Sequence, residues 1–257
     1  MTALPDWRRV SVGGNYNDSA TAPGHHGPYP PGTGHWPPVC SDSMPMSPDY
    51  SLRDEVASAI THGIGVLLSV GAGAVLITLS AQTRDVWTIV GASVFVASLV
   101  LVYVSSTLYH AIPFARAKAR LQTLDHCAIY GLIAGTYTPF LIGGLRGPWG
   151  WTLFGIIWGL ALAGIVFKLF FTGRFKLVST LVYVAMGWLV VVATGPLREA
   201  LPGTTLAWMV GGGLAYTLGT VFYLSRRPYA HAVWHVFVLA GSVCHFIAVL
   251  VEVLRVA

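Results

Sequence analysis

Five side chains in this sequence have the types and spacing to do metal-assisted chemistry: Ser106, His110, Asp125, His231 and His235. His231 and His235 are four residues apart, as are Ser106 and His110, and residues at that spacing share one face of a helix. Two imidazoles on one helical turn can grip a single ion, with His110 as a third ligand. Three neutral imidazoles leave a tetrahedral zinc with one open position, the arrangement of catalytic rather than structural sites. Water held there has its pKa lowered towards about 7. Asp125 is placed to orient that water or act as general base, and Ser106 to hydrogen-bond the water or a developing oxyanion. Each residue also has a plainer reading. A histidine at a helix C-terminus is favoured by the helix dipole, and an aspartate at an N-terminus can simply be a cap.

The elements that must position these residues are long and apolar. The chain of 257 residues is 54% hydrophobic and only 10% charged, whereas soluble domains carry about 25% charged residues. Seven apolar runs fall at about 58–80, 86–110, 123–144, 149–171, 177–196, 204–225 and 230–254, each of the roughly 20 residues a spanning helix needs. The reading is an all-α integral membrane protein, a bundle of seven transmembrane helices over residues 51–257. Residues 1–50, rich in Pro, Gly, Ser and His, cannot bury enough apolar surface to offset chain entropy and read as a disordered polar tail. His25, His26 and His35 in it are taken as solvated.

The linkers between runs carry breakers or charges, such as Arg84-Asp85, Arg116 to Arg120 and Arg226 to Pro228. The fifth run is the weakest, because Gly195-Pro196 is expected to close it early. Pro139 removes a backbone donor and is expected to kink the third. Trp149, Trp151, Trp208 and Trp234 fall near run ends, where interfacial anchors sit. Gly71, Gly73 and Gly211 to Gly213 permit close helix contact.

An odd number of spans puts the termini on opposite sides. Arg8, Arg9, Arg53, Arg116, Lys118, Arg120, Lys168, Arg174, Lys176, Arg226 and Arg227 lie on the N-terminal side, against Arg84, Arg146, Arg198 and Arg255 on the other. The positive-inside rule then predicts a cytoplasmic N-terminus and an outside C-terminus. On this topology His110, Asp125, His231 and His235 share one cytoplasmic layer with Glu55, Ser58 and His62, although they come from four helices. Ionisable groups at membrane depth are costly and mark functional sites by default. His126, about 100° around the helix from Asp125, is assigned an interfacial or supporting role. His245, about 15 Å deeper than His235 by helix rise, is assigned as a hydrogen-bonded packing histidine. The net charge of +5 comes with no basic patch of interleaved aromatics, so nucleic acid is not an expected partner. Cys40, Cys127 and Cys244 have no paired spacing, which argues against a disulfide framework or a thiolate zinc motif.

Five segments occur in a recognisable order: Glu55 to Gly63 (EVASAITHG), Ser106 to His110 (STLYH), Asp125 to Tyr130 (DHCAIY), Ala134 to Pro139 (AGTYTP) and His231 to His235 (HAVWH). Over about residues 52–254 the chain resembles hemolysin III proteins, the bacterial branch of the progestin and adipoQ receptor superfamily. The resemblance implies a multi-pass protein of a bacterial plasma membrane, an inward N-terminus, and an intramembrane zinc ion held by His110, His231 and His235. Ser106 and Asp125 match the family's serine and aspartate, while Ser58 stands where the family usually has Asn. The superfamily includes hormone receptors and ceramidase-like lipid hydrolases. Two readings therefore stay open. One is a zinc-dependent hydrolase of a lipid amide or ester that enters from the bilayer. The other is a non-enzymatic receptor-like, membrane-homeostasis or cytolysis-associated protein, in which zinc staples the second, third and seventh spans. Membrane lipids are the expected partners in both.

Overall fold

The structure, a computed structural model, describes residues 51–257. The expectations for the 1–50 tail, its histidines and Cys40 lie outside the described residues. Helices α1 (Leu52–Gln82), α2 (Val86–Ala111), α3 (Ala115–Thr138), α4 (Pro148–Phe171), α5 (Lys176–Gly187), α6 (Thr194–Ala200), α7 (Gly203–Leu224) and α8 (Ala230–Val256) follow in order. Among the described residues these give seven stretches long and apolar enough to cross a membrane, α5 and α6 together forming the fifth.

Each helix is set by local chemistry at its ends. Ser51 caps α1 in a capping box with Asp54, which starts the helix before its apolar run begins. Asp85 caps α2 through the Thr88 backbone N–H at 2.9 Å and also pairs with Arg146 at 3.1 Å. Helix α3 starts at Ala115, so Arg116 to Arg120 are helical rather than a linker. Apolar runs reveal the part of a helix inside lipid; Ala, Arg, Lys and Gln continue it into water because they are good helix formers.

Two spans are broken inside the bundle. At Pro139 the chain changes to a π-helical turn over Pro139–Gly144, the expected consequence of a missing donor. The fifth span breaks at Gly187 and Trp188, earlier than Gly195-Pro196, and runs through a 3-10 turn (Leu189–Ala193) into α6. Pro196 is tolerated because it lies in the first turn of α6, where backbone N–H groups have no intrahelical acceptor. Lipid offers no partner to the groups freed by the break, and Tyr137 on α3 supplies one. Its hydroxyl lies 2.8 Å from the Gly187 carbonyl and 3.0 Å from that of Met186, and accepts from the Val190 N–H at 2.9 Å.

Helix α1 faces inward with mostly small and polar residues. On α1 the buried stripe includes Ser58, His62, Gly65, Ser69, Gly73 and Ser80, while Leu67 is 75% exposed. This pattern inverts that of a soluble helix, because lipid tails are as apolar as leucine and packing rests on close approach. At Gly73 any Cβ would collide with Val96, whereas Gly71 meets nothing. Neighbouring helices close a ring in the order α1, α2, α3, α5, α7, α8, with α4 packed outside α3. The ring encloses a cavity of about 120 Å³.

Candidate metal centre

The last turn of α2 carries His110, and the first turns of α8 carry His231 and His235. One ring nitrogen from each lies within 4.8 Å of the others, close enough to hold a metal ion. The ring centroids of His110 are 5.0 Å from His231 and 5.1 Å from His235, and the α8 pair are 4.6 Å apart.

Helix α1 orients two of these rings. Glu55 Oε2 lies 2.7 Å from His110 Nδ1. An ionised carboxylate only accepts, so Nδ1 carries the proton and Nε2 keeps its lone pair. His110 is 5% exposed, and its Nε2 is buried without a hydrogen-bond partner. The other Glu55 oxygen pairs with Lys118 Nζ at 3.1 Å, and that ammonium also donates to the Tyr109 carbonyl at 2.9 Å. His235 Nδ1 lies 3.2 Å from the Ser58 carbonyl and 3.3 Å from the Thr61 hydroxyl. A carbonyl likewise only accepts, so here too Nε2 is left as the free base. Partners of this kind fix tautomer and ring orientation in metal sites. The donor set therefore suits zinc, which takes neutral imidazole nitrogens.

The start of α8 is also tied to α1. Tyr229, in the left-handed region at φ 60°, donates its N–H to Asp54 Oδ1 at 2.6 Å. The capping-box partner of Ser51 thus registers the turn from which His231 and His235 project. His62 stacks face to face on His235, with centroids 3.5 Å apart, and meets Tyr103 edge-on at 5.1 Å. Neither of its ring nitrogens has a hydrogen-bond partner among the described residues, and the Ser58 position provides none.

Ser106 and Asp125 line the same cavity as His231 and His235. The Ser106 hydroxyl stands beside the Asp125 carboxylate but makes no hydrogen bond of ordinary geometry. His126 also lines this cavity, because the space wraps around more of α3 than one helical face. Its carbonyl accepts from Tyr183 Oη at 3.1 Å. Trp234, expected as an interfacial anchor, turns inward onto Gly219 and Tyr223 and forms part of the wall. The remaining lining is largely apolar, including Ile129, Leu132, Ile133 and Val238.

All five site residues named from the sequence thus lie at one end of the bundle, together with Glu55, Ser58 and Lys118. Glu55 and Ser58 were visible in sequence only as polar residues of the same layer, with the spacing along α1 (55, 58, 62) as the signal of a shared face, and Lys118 only as one of the basic residues at that end. Residues 50–246 match the family described as "Haemolysin-III related". The chain belongs to the haemolysin III family. It is 49% identical over 208 residues to the "Hemolysin-3 homolog" of Bacillus subtilis (strain 168), covering 80% of this chain and 98% of that one. It is 47% identical over 207 residues to "Hemolysin-3" of Bacillus cereus, covering 80% and 94%. A human relative, "Monocyte to macrophage differentiation factor", is 27% identical over 228 residues, covering 85% and 87%. With seven helices long and apolar enough to cross a membrane among the described residues, the chain is a multi-pass membrane protein.

Proposed function

We propose that this protein is a zinc-dependent hydrolase of a lipid amide or ester, working at the cytoplasmic side of a bacterial plasma membrane. The observation that carries the reading is a set of imidazoles with two Nδ1 atoms pinned by α1, gathered at a cavity that also holds Ser106 and Asp125. His110, His231 and His235 would hold the ion, which supplies Lewis-acid polarisation of a carbonyl and a lowered pKa for water. Asp125 takes a proton from the attacking water and returns it to the leaving group. Ser106 donates to the oxyanion that develops on the carbonyl oxygen. The apolar walls keep bulk water from the reacting atoms and receive the hydrocarbon chain. The surplus of basic residues at this end of the bundle, Lys118, Lys168 and Lys176 among them, supports its assignment to the cytoplasm.

Metal analysis of the detergent-purified protein tests the first step. Wild type should carry one zinc per chain, and a His231→Ala/His235→Ala variant that stays folded should carry none. With zinc loaded, wild type should hydrolyse a ceramide-like or ester lipid, and Asp125→Asn should keep the metal while losing about 100-fold or more in rate. A fully loaded wild type inert towards all such lipids would remove the enzymatic reading.

A second reading has its own observation. The three donors come only from α2 and α8, which otherwise touch sparingly, so a metal there would staple those two helices, with α3 contributing no ligand. In a receptor-like, membrane-homeostasis or cytolysis-associated protein the ion would then serve folding. Metal removal would lower thermal stability in this case without any hydrolytic activity to lose.

A further inference from the structure

His245 has no part in the chemistry above, yet it is built into the cavity with care. It lies ten residues after His235 on α8, about 15 Å further along the axis at 1.5 Å per residue. The residue is 9% exposed and makes no hydrogen bond to any described residue, its Nδ1 being buried without a partner. A neutral imidazole has one donor and one acceptor to satisfy, and buried polar groups are nearly always paired.

The ring is held against α7. Tyr216 stacks on it, 5.6 Å between centroids and 17° from parallel. The Tyr216 phenol is fixed by Ser242 at 2.9 Å, which in turn accepts from the Tyr103 hydroxyl at 2.7 Å. One turn earlier on the same helix Gly212 makes the space, since a Cβ there would stand 2.6 Å from His245 Nε2. His245 lines the cavity of the histidine cluster and also a second one of about 600 Å³, and Tyr137, Trp188 and Gly213 border both. The threonines on the first cavity's wall commit their hydroxyl protons to their own helices: Thr136 to Leu132, Thr180 to Lys176, Thr217 to Gly213 and Thr220 to Thr217. His245 Nδ1, ten residues along α8 from His235, is a buried polar atom with no hydrogen-bond partner among the described residues.

We propose that His245 reads a second polar group on the bound ligand. The cavity then takes single-chain amphiphiles whose head sits at the histidine cluster and whose chain carries a hydroxyl about 15 Å away. The placement of the head rests on the metal-site reading above; the distal contact does not.

The test compares dodecanoic acid with 12-hydroxydodecanoic acid, binding each to the zinc-loaded full-length protein in detergent by calorimetry. Wild type should bind the hydroxy acid about tenfold more tightly, although an unpaired hydroxyl in an apolar cavity would weaken binding. His245→Phe, which keeps the stacking on Tyr216, should reverse the order, and His245→Gln should restore part of the preference. Equal binding, preference for the plain acid, or no binding of either by wild type overturns the proposal, as does an unchanged preference in His245→Phe. The wild-type comparison decides even where a variant fails to fold. If His231→Ala/His235→Ala weakens both acids alike and leaves the hydroxyl preference intact, both readings stand. If it weakens neither while the preference persists, the metal-anchored head fails and the distal contact stands.

Discussion

As candidate metal ligands, His110 and His235 are oriented by atoms far away in the chain. The Glu55 carboxylate and the Ser58 carbonyl accept from the Nδ1–H of His110 and His235 respectively and leave Nε2 as a base. Glu55→Gln should therefore weaken metal binding by about 10–100-fold while leaving all three imidazoles present, as read by chelator competition against purified wild type. An unchanged affinity would reduce Glu55 to a surface partner of Lys118. The sequence exposes the histidines as ligands through their types and their spacing on α8. It does not expose their orienting partners, because the Glu55–His110 contact and the Asp54–Tyr229 tie join residues with no local pattern between them. His62 illustrates the same limit: its ring lies against His235, and nothing along α1 announces that neighbour.

The elements were legible wherever apolar length decides them. All seven runs became spans, with ends extended where charged helix formers carry the helix into water. The break in the fifth span was placed too late, since Gly-Pro is a stronger local signal than Gly187-Trp188. What decides the break is tertiary: Tyr137 stands ready to satisfy the freed carbonyls and the Val190 N–H, and Trp188 Nε1 donates to Thr217 Oγ1 at 2.9 Å. Tyr137→Phe strips those backbone groups of their partner in a setting without water. We expect a loss of about 1–3 kcal/mol of stability, measured by thermal or denaturant unfolding in micelles, with the metal content unchanged. Stability equal to wild type would mean that the broken helix satisfies itself.

Across the whole molecule the ring of helices places polar groups at one end of a cavity and hydrocarbon along its length. The surplus of basic residues predicts that the end holding the histidine cluster faces the cytoplasm. In a background with Cys40, Cys127 and Cys244 replaced by serine, Arg116→Cys and Arg198→Cys place single thiols at exposed positions at opposite ends. A membrane-impermeant thiol reagent applied to intact cells should label the site at 198 and spare the site at 116. The opposite labelling would invert the topology and place the histidine cluster outside.

By itself the sequence determined the class, the number of spans and the residues with metal-binding chemistry. Those follow from length, apolarity and residue type, quantities summed locally along the chain. It also grouped Ser106, His110, Asp125, His231 and His235 in one layer, since depth in a bundle is counted residue by residue from helix ends. Only the tertiary structure decided which helices are neighbours, and with them the rest of the site. It set the proton positions on His110 and His235, the place of Tyr137 at the broken span, the inward turn of Trp234 and the unpaired edge of His245. Each depends on a contact across the ring, and rotation of a helix about its own axis is fixed by packing against its neighbours rather than by its hydropathy.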